Sequence, residues 1–152
     1  CAVVRLVVRR GVLCAAGGEG QRHRAGKNEG QKLFHHVVFH FGFPPIYLIL
    51  GGRDKNLDFC ELFAKMPPRV KKIALIGEAA ETIASFAQRK GFKRYCFCDG
   101  LENAVRTLYA EASAGDVILL SPACASFDSY RNFAERGEHF KKIVEKLKNE
   151  TY

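Results

Sequence analysis

The chain has 152 residues, of which 47% are hydrophobic and 26% charged, the length and make-up of one compact domain that needs no disulfide or metal to hold a core. No run of 18 apolar residues occurs, which excludes a membrane-spanning helix from the sequence as given. A net charge of +8 admits anionic ligands, whether nucleotides, phosphorylated substrates or nucleic acid.

The chain opens CAVVRLVVRRGVLCAAGGEG, without Met, and Arg5, Arg9 and Arg10 break its apolar stretch, so it makes a poor signal peptide. Six cysteines (Cys1, Cys14, Cys60, Cys96, Cys98 and Cys124) show no C-x-x-C spacing and are expected to be reduced thiols of a cytoplasmic protein. Composition changes sharply at Pro44-Pro45. Residues 1–45 contain no Ser, Thr, Asp, Ile or Tyr, yet hold four of the five His and seven of the fourteen Gly. They carry seven basic residues against two acidic ones, so most of the excess charge lies there. Val-rich, strand-like pieces stand at 2–8 and 34–39, and the stretch 17–32 reads as disordered. Two readings are open for this head: a basic, Gly/His-rich arm for nucleic acid, or a stretch read in the wrong frame. Ser, Thr, Asp and Ile make up about a fifth of ordinary sequence, so their absence favours the second. The division is therefore an atypical, disordered or frame-shifted head over 1–43 and an organised domain over 44–152.

From residue 46 the pattern becomes regular. Ile46-Tyr47-Leu48-Ile49-Leu50 is a buried-strand run stopped by Gly51-Gly52. Phe59, Leu62, Phe63 and Met66 then recur at helical spacing, with Asp58 as cap and Pro67-Pro68 as stop. Ile73–Ile76 is the next strand, and Ala80, Ile83, Ala84 and Ala87 the next helical stripe. Tyr95–Phe97 is a short third strand, followed by Leu101, Ala104, Val105, Leu108 and Ala112 on a helix. Val117–Leu120 is the fourth strand, and Phe140, Ile143, Val144 and Leu147 line a long final helix.

Strands at this spacing, each followed by a helix, are βαβ units, and continuous apolar runs suit strands covered on both sides. The expected fold is α/β: Rossmann-like and doubly wound, with a mostly parallel sheet and helices on both faces. Ligands in such sheets sit beyond the carboxyl ends of the strands, which points to loops 51–56, 77–79, 98–100 and 121–128.

In the first loop, Gly51 and Gly52 let backbone approach a ligand, and Arg53 and Lys55 could meet an anion; the plainer alternative is a tight turn with solvated charges. In the last, Ser121-Pro122-Ala123-Cys124-Ala125-Ser126-Phe127-Asp128 leads into a helix expected to begin near Asp128. Small and hydroxyl residues there suit a carboxylate, while Ser126 or Asp128 as a mere helix cap is the commoner role. No phosphate-binding or dinucleotide fingerprint occurs. Cys124 lacks a nearby His in sequence and reads as packing; Cys96-x-Cys98 alone is a weak metal signal, and no metal site is expected.

Taken together, GGRDKNLDF after a strand and LLSPACASFDSYRNFAERGEHF some seventy residues on resemble the C-terminal domain of Mur ligases, above all those that add D-glutamate to UDP-N-acetylmuramoyl-L-alanine. The resemblance covers about residues 44–148. It implies an ATP- and Mg2+-dependent amino-acid ligase of peptidoglycan synthesis, working through an acyl phosphate. It also implies that this chain is the D-glutamate-binding part and is inactive without the N-terminal and central domains, which bind the UDP group and ATP. Matched position by position, it implies Lys55 as the catalytic lysine facing the acyl phosphate and the D-glutamate carboxylate. Ser126 and the backbone beside Phe127 would contact D-glutamate, Phe133 would pack over it, and Asp54 would orient the loop. Upstream of the first strand the family's DSKATN-like segment has no counterpart, which agrees with an aberrant head. Two rivals remain: a non-enzymatic α/β module with a basic nucleic-acid-binding arm, and a ligase of the folylpolyglutamate-synthase kind. Excess positive charge lying mostly in the head speaks against the first, and SPACASFD against the second.

Overall fold

The computed structural model describes residues 4–9, 12–17, 44–52, 58–123 and 130–150. Four parallel strands form its centre: β3 (Ile46–Gly51), β4 (Val70–Ile76), β5 (Tyr95–Phe97) and β6 (Val117–Ala123). Two more, β1 (Val4–Arg9) and β2 (Val12–Gly17), pair antiparallel with each other. β1 also pairs antiparallel with β6, giving one six-stranded sheet ordered β2-β1-β6-β3-β4-β5. The Val-rich piece at 2–8 coincides with β1, and only Arg10 and Gly11 separate β1 from β2 in sequence. The piece at 34–39 lies outside the described residues.

Helices cover both faces. Successive side chains of a strand point to opposite sides. Ile46, Leu48 and Leu50 of β3 therefore join Ile73, Leu75 and Leu119 on one face. There they pack under α1 (Cys60–Ala64) and α2 (Ala80–Arg89), through Leu62, Phe63, Ile83, Ala84 and Ala87. Tyr47 and Ile49 join Ala74, Ile118 and Leu120 on the other. That face lies under α3 (Gly100–Glu111) and α4 (Phe133–Glu150), through Leu101, Ala104, Val105, Leu108, Phe140, Ile143, Val144 and Leu147. Strand and helix stripes thus lie where the apolar periodicity set them, and the α/β, doubly wound architecture is the expected one.

β6 runs three residues past Leu120, to Ala123, and boundaries moved in three further places. β4 begins at Val70, three residues early, because Lys71 and Lys72 reach carboxylates at the sheet's lower end: Lys71 Nζ lies 3.0 Å from Asp116, and Lys72 pairs with Glu111. Asp116 is buried and also accepts the Ser113 backbone N–H at 2.8 Å, which closes the turn into β6. α1 is shorter than the stripe 59–66 suggested. The N-cap is Phe59 rather than Asp58, whose Oδ1 accepts the Cys60 N–H at 2.8 Å from one residue further out, and the chain leaves the helix at Lys65, two residues before Pro67. Finally, α4 starts at Phe133 rather than near Asp128. Asn132 caps it: its Oδ1 accepts the Glu135 N–H at 2.9 Å, and Glu135 reaches back to accept the Arg131 N–H at 2.7 Å. This is a capping-box-like exchange whose return bond reaches one residue past the cap, to Arg131.

Candidate functional site

The strand order reverses between β3 and β6: from β3 the chain winds outward through β4 to β5, then returns to place β6 on the other side. A crevice forms at the carboxyl end of such a reversal because the two outgoing loops diverge to opposite faces. Gly51 closes β3 directly beside Ala123, the end of β6. The two loops singled out in the sequence therefore leave from adjacent points of the sheet.

Gly51 and Gly52 end β3 with φ of 134° and 128°, values that L side chains rarely adopt. A Cβ on Gly51 would stand 1.8 Å from the Ile76 carbonyl oxygen, so only glycine lets β3 lie this close to β4. Gly52 donates its N–H to Ile76 O at 3.1 Å, and its own carbonyl accepts from Ala79 N at 2.9 Å. The point from which the first loop departs is thus fixed by two backbone bonds.

A cavity of about 60 Å³ opens there, lined by Gly52, Ile76, Gly77, Gly100, Leu101, Tyr130 and Arg136. Arg136, only 3% exposed, lies on its floor. Tyr130 closes one wall, its hydroxyl 2.7 Å from His139 Nδ1 and the two rings 5.7 Å apart. His139 therefore braces an aromatic of the cleft.

Of the residues expected to act, Asp54 and Lys55, and Ser126 and Phe127, lie outside the described residues, as does Cys124. Phe133 is the first residue of α4, one turn before Arg136. The cap of α4 is Asn132, so neither Ser126 nor Asp128 caps that helix. Arg136 and Tyr130 had been given no role. A signal for Arg136 was present, since it precedes Phe140 by four residues and so falls on the buried stripe of α4.

Cys96 and Cys98 have their sulfurs 3.9 Å apart, on the sheet face covered by α3 and α4. Burial, and then the neighbouring Cys96, push the Cys98 thiol up to about 11, which leaves it protonated and a poor nucleophile or ligand near neutrality. Among the described residues no group of three His, Cys, Asp or Glu could hold a metal ion, and no helix is long and apolar enough to cross a membrane.

Similarity to known proteins covers about two thirds of the chain. Proteins named UDP-N-acetylmuramoylalanine–D-glutamate ligase match in Pelotomaculum thermopropionicum at 43% identity over 104 residues. In Clostridioides difficile the figure is 45% over 104 residues, and in Natranaerobius thermophilus 45% over 109. These alignments take in 68%, 68% and 71% of this chain, but only 23%, 23% and 24% of the relatives. The chain thus spans about a quarter of the length of the proteins it matches. The family described as "Mur ligase, glutamate ligase domain" matches residues 29–124, more than half of the chain. With the parallel sheet and the two motif loops leaving it side by side at Gly51 and Ala123, this chain belongs to the Mur ligase family, by its glutamate ligase domain.

Proposed function

We propose that this chain is the C-terminal, D-glutamate-binding part of a cytoplasmic ligase that joins D-glutamate to UDP-N-acetylmuramoyl-L-alanine. The observation that carries the reading is the pairing of Gly51 with Ala123, which starts the GGRDK and SPACAS loops side by side at the strand-order reversal. The names of the relatives supply the substrate.

The chain's own part is binding and orientation. Lys55 answers negative charge on the reacting groups. Ser126 donates its hydroxyl to a carboxylate of D-glutamate, Phe127 offers backbone beside it, Phe133 packs over the amino acid, and Asp54 orients the Lys55 loop. Holding an amine beside an activated carboxyl lowers the barrier mainly by removing the entropy of encounter. ATP and Mg2+ fit no residues described here: no metal-ligating cluster is present among them, and the sequence carries no phosphate-binding loop. Their place is in the N-terminal and central parts of a complete enzyme, and this chain alone is inactive.

The test is an enzyme assembled from residues 44–152 and the preceding domains of a relative. Ser126→Ala should raise the Michaelis constant for D-glutamate about ten- to hundredfold, the worth of a charge-assisted hydrogen bond of roughly 1.5–3 kcal/mol, and leave that for ATP unchanged. A folded, ATP-binding assembly that does not consume D-glutamate would refute the assignment. An unaltered D-glutamate constant in the variant would remove Ser126 from the site.

A further inference from the structure

Two thiols meet at the edge of the sheet. Cys96 lies in β5 and Cys98 just beyond its end, two positions apart and so on the same face, with their sulfurs 3.9 Å from each other. Among the described residues β5 is the last strand of the sheet, and both cysteines are half-buried, so a small solute can reach them from the open edge. Burial, and then Cys96, hold the Cys98 thiol protonated, while a hydrogen bond from Thr107 of α3 and the ammonium of Lys72 on β4 act the other way. Residues two apart on a strand have Cα atoms about 6.6 Å from each other, the wide end of what a disulfide spans. A bond closed there is strained, and strained disulfides are the readily reduced, reversible ones.

We propose that Cys96 and Cys98 form a reversible two-electron oxidation site, which closes to an intrachain disulfide on meeting a low-molecular-weight disulfide. The Cys96 thiolate attacks one sulfur of the small disulfide, forming an S–S bond to Cys96 and expelling one small thiolate. Cys96 then carries no charge, which removes the second of the two causes that hold Cys98 protonated. Cys98 gives its proton to solvent and attacks the Cys96 sulfur, closing the ring and expelling the second small thiolate. The two cysteines lose two electrons and two protons, and the small disulfide is reduced to two thiols. Neither Lys55 nor Ser126 takes part, so the proposal stands apart from the D-glutamate reading.

The test is to incubate the full chain with glutathione disulfide at neutral pH, alkylate the remaining thiols, digest with trypsin and weigh the peptides. Cleavage after Arg94 and Arg106 places Cys96 and Cys98, and no other cysteine, on the peptide 95–106. That peptide should be recovered unalkylated and two hydrogens lighter than its reduced form, and dithiothreitol should restore two alkylatable thiols. In Cys98→Ser the same peptide should gain one glutathione, on Cys96, and stop there, because no second thiol remains to expel it. Cys60→Ser should give the wild-type result. A peptide with both cysteines alkylated after oxidation, one carrying two glutathiones, or one joined to a different cysteine overturns the proposal. So does a gain of oxygen that dithiothreitol does not reverse, or a Cys98→Ser variant that takes up no glutathione.

Discussion

Gly51 shows how much one position can hold. Its φ of 134° and the 1.8 Å approach to Ile76 O mean that Gly51→Ala strains the backbone and drives β3 from β4 at once. Strain and overpacking each cost about 1–3 kcal/mol, so a loss of about 2–5 kcal/mol is expected in urea unfolding. Gly100→Ala makes the control: its φ is also positive, at 79°, but nothing stands within 4 Å of the added Cβ, so it should cost clearly less. Equal losses would put the cost in backbone conformation alone. The sequence marked Gly51 as a strand stop with room for a ligand. The close contact with Ile76 was not legible there, because it depends on how tightly a parallel neighbour packs. Arg136 escaped notice for a related reason: a charged residue on an apolar stripe reads as the stripe's edge until the far side of the helix is known.

At the scale of elements, periodicity was the reliable guide and termini were not. All four helical stripes are buried or, at Met66 and Ala112, half-buried, as their spacing implied, down to Leu147. The start of α4 was misjudged because Ser126 and Asp128 are as good caps by type as Asn132, and only the reciprocal bond from Glu135 separates them. Near its other end, α4 is clamped to α3. Arg106 meets Glu150 through both guanidinium ends at 2.8 and 2.9 Å and Glu102 at 3.1 Å, with Lys146 3.3 Å from Glu102. Bonds from Arg106 lower the carboxyl pKa of both glutamates. A depressed folded value gives stability that is present above the unfolded value, about 4.3, and is lost as pH falls through the folded one. The melting-temperature gap between the wild-type chain and Arg106→Met should therefore be modest near pH 6 and shrink by pH 3, as suits an ion pair near the surface. A gap that is constant across that range would show that Arg106 acts through its aliphatic stem.

For the whole molecule, the fold class could be read from the alternation of runs and stripes, and the seam at residue 44 from composition, whereas the pairing of β1 with β6 could not, since nothing in either segment specifies the other. We propose that residues 1–43 are dispensable. Their composition, without Ser, Thr, Asp, Ile or Tyr, sets them apart from the organised part of the chain. A chain of 44–152 should keep helical circular dichroism and one cooperative melt, and loss of that transition would show that β1 and β2 are integral. Without them β6 becomes an edge strand with unpaired backbone groups, so association at high concentration is expected to rise. The strand order also has a consequence in time. β3 and β4 each pair with their successor along the chain, but Ile46 of β3 must find Val117 of β6 across everything between. Contacts this remote repay their loop-closure entropy late. Ile73→Val in β4 should slow folding, whereas Ile118→Val in β6 should chiefly speed unfolding, and the reverse pattern in chevron kinetics would contradict this order. The crevice lies on that late seam, so a growing molecule has its scaffold before it has its binding site.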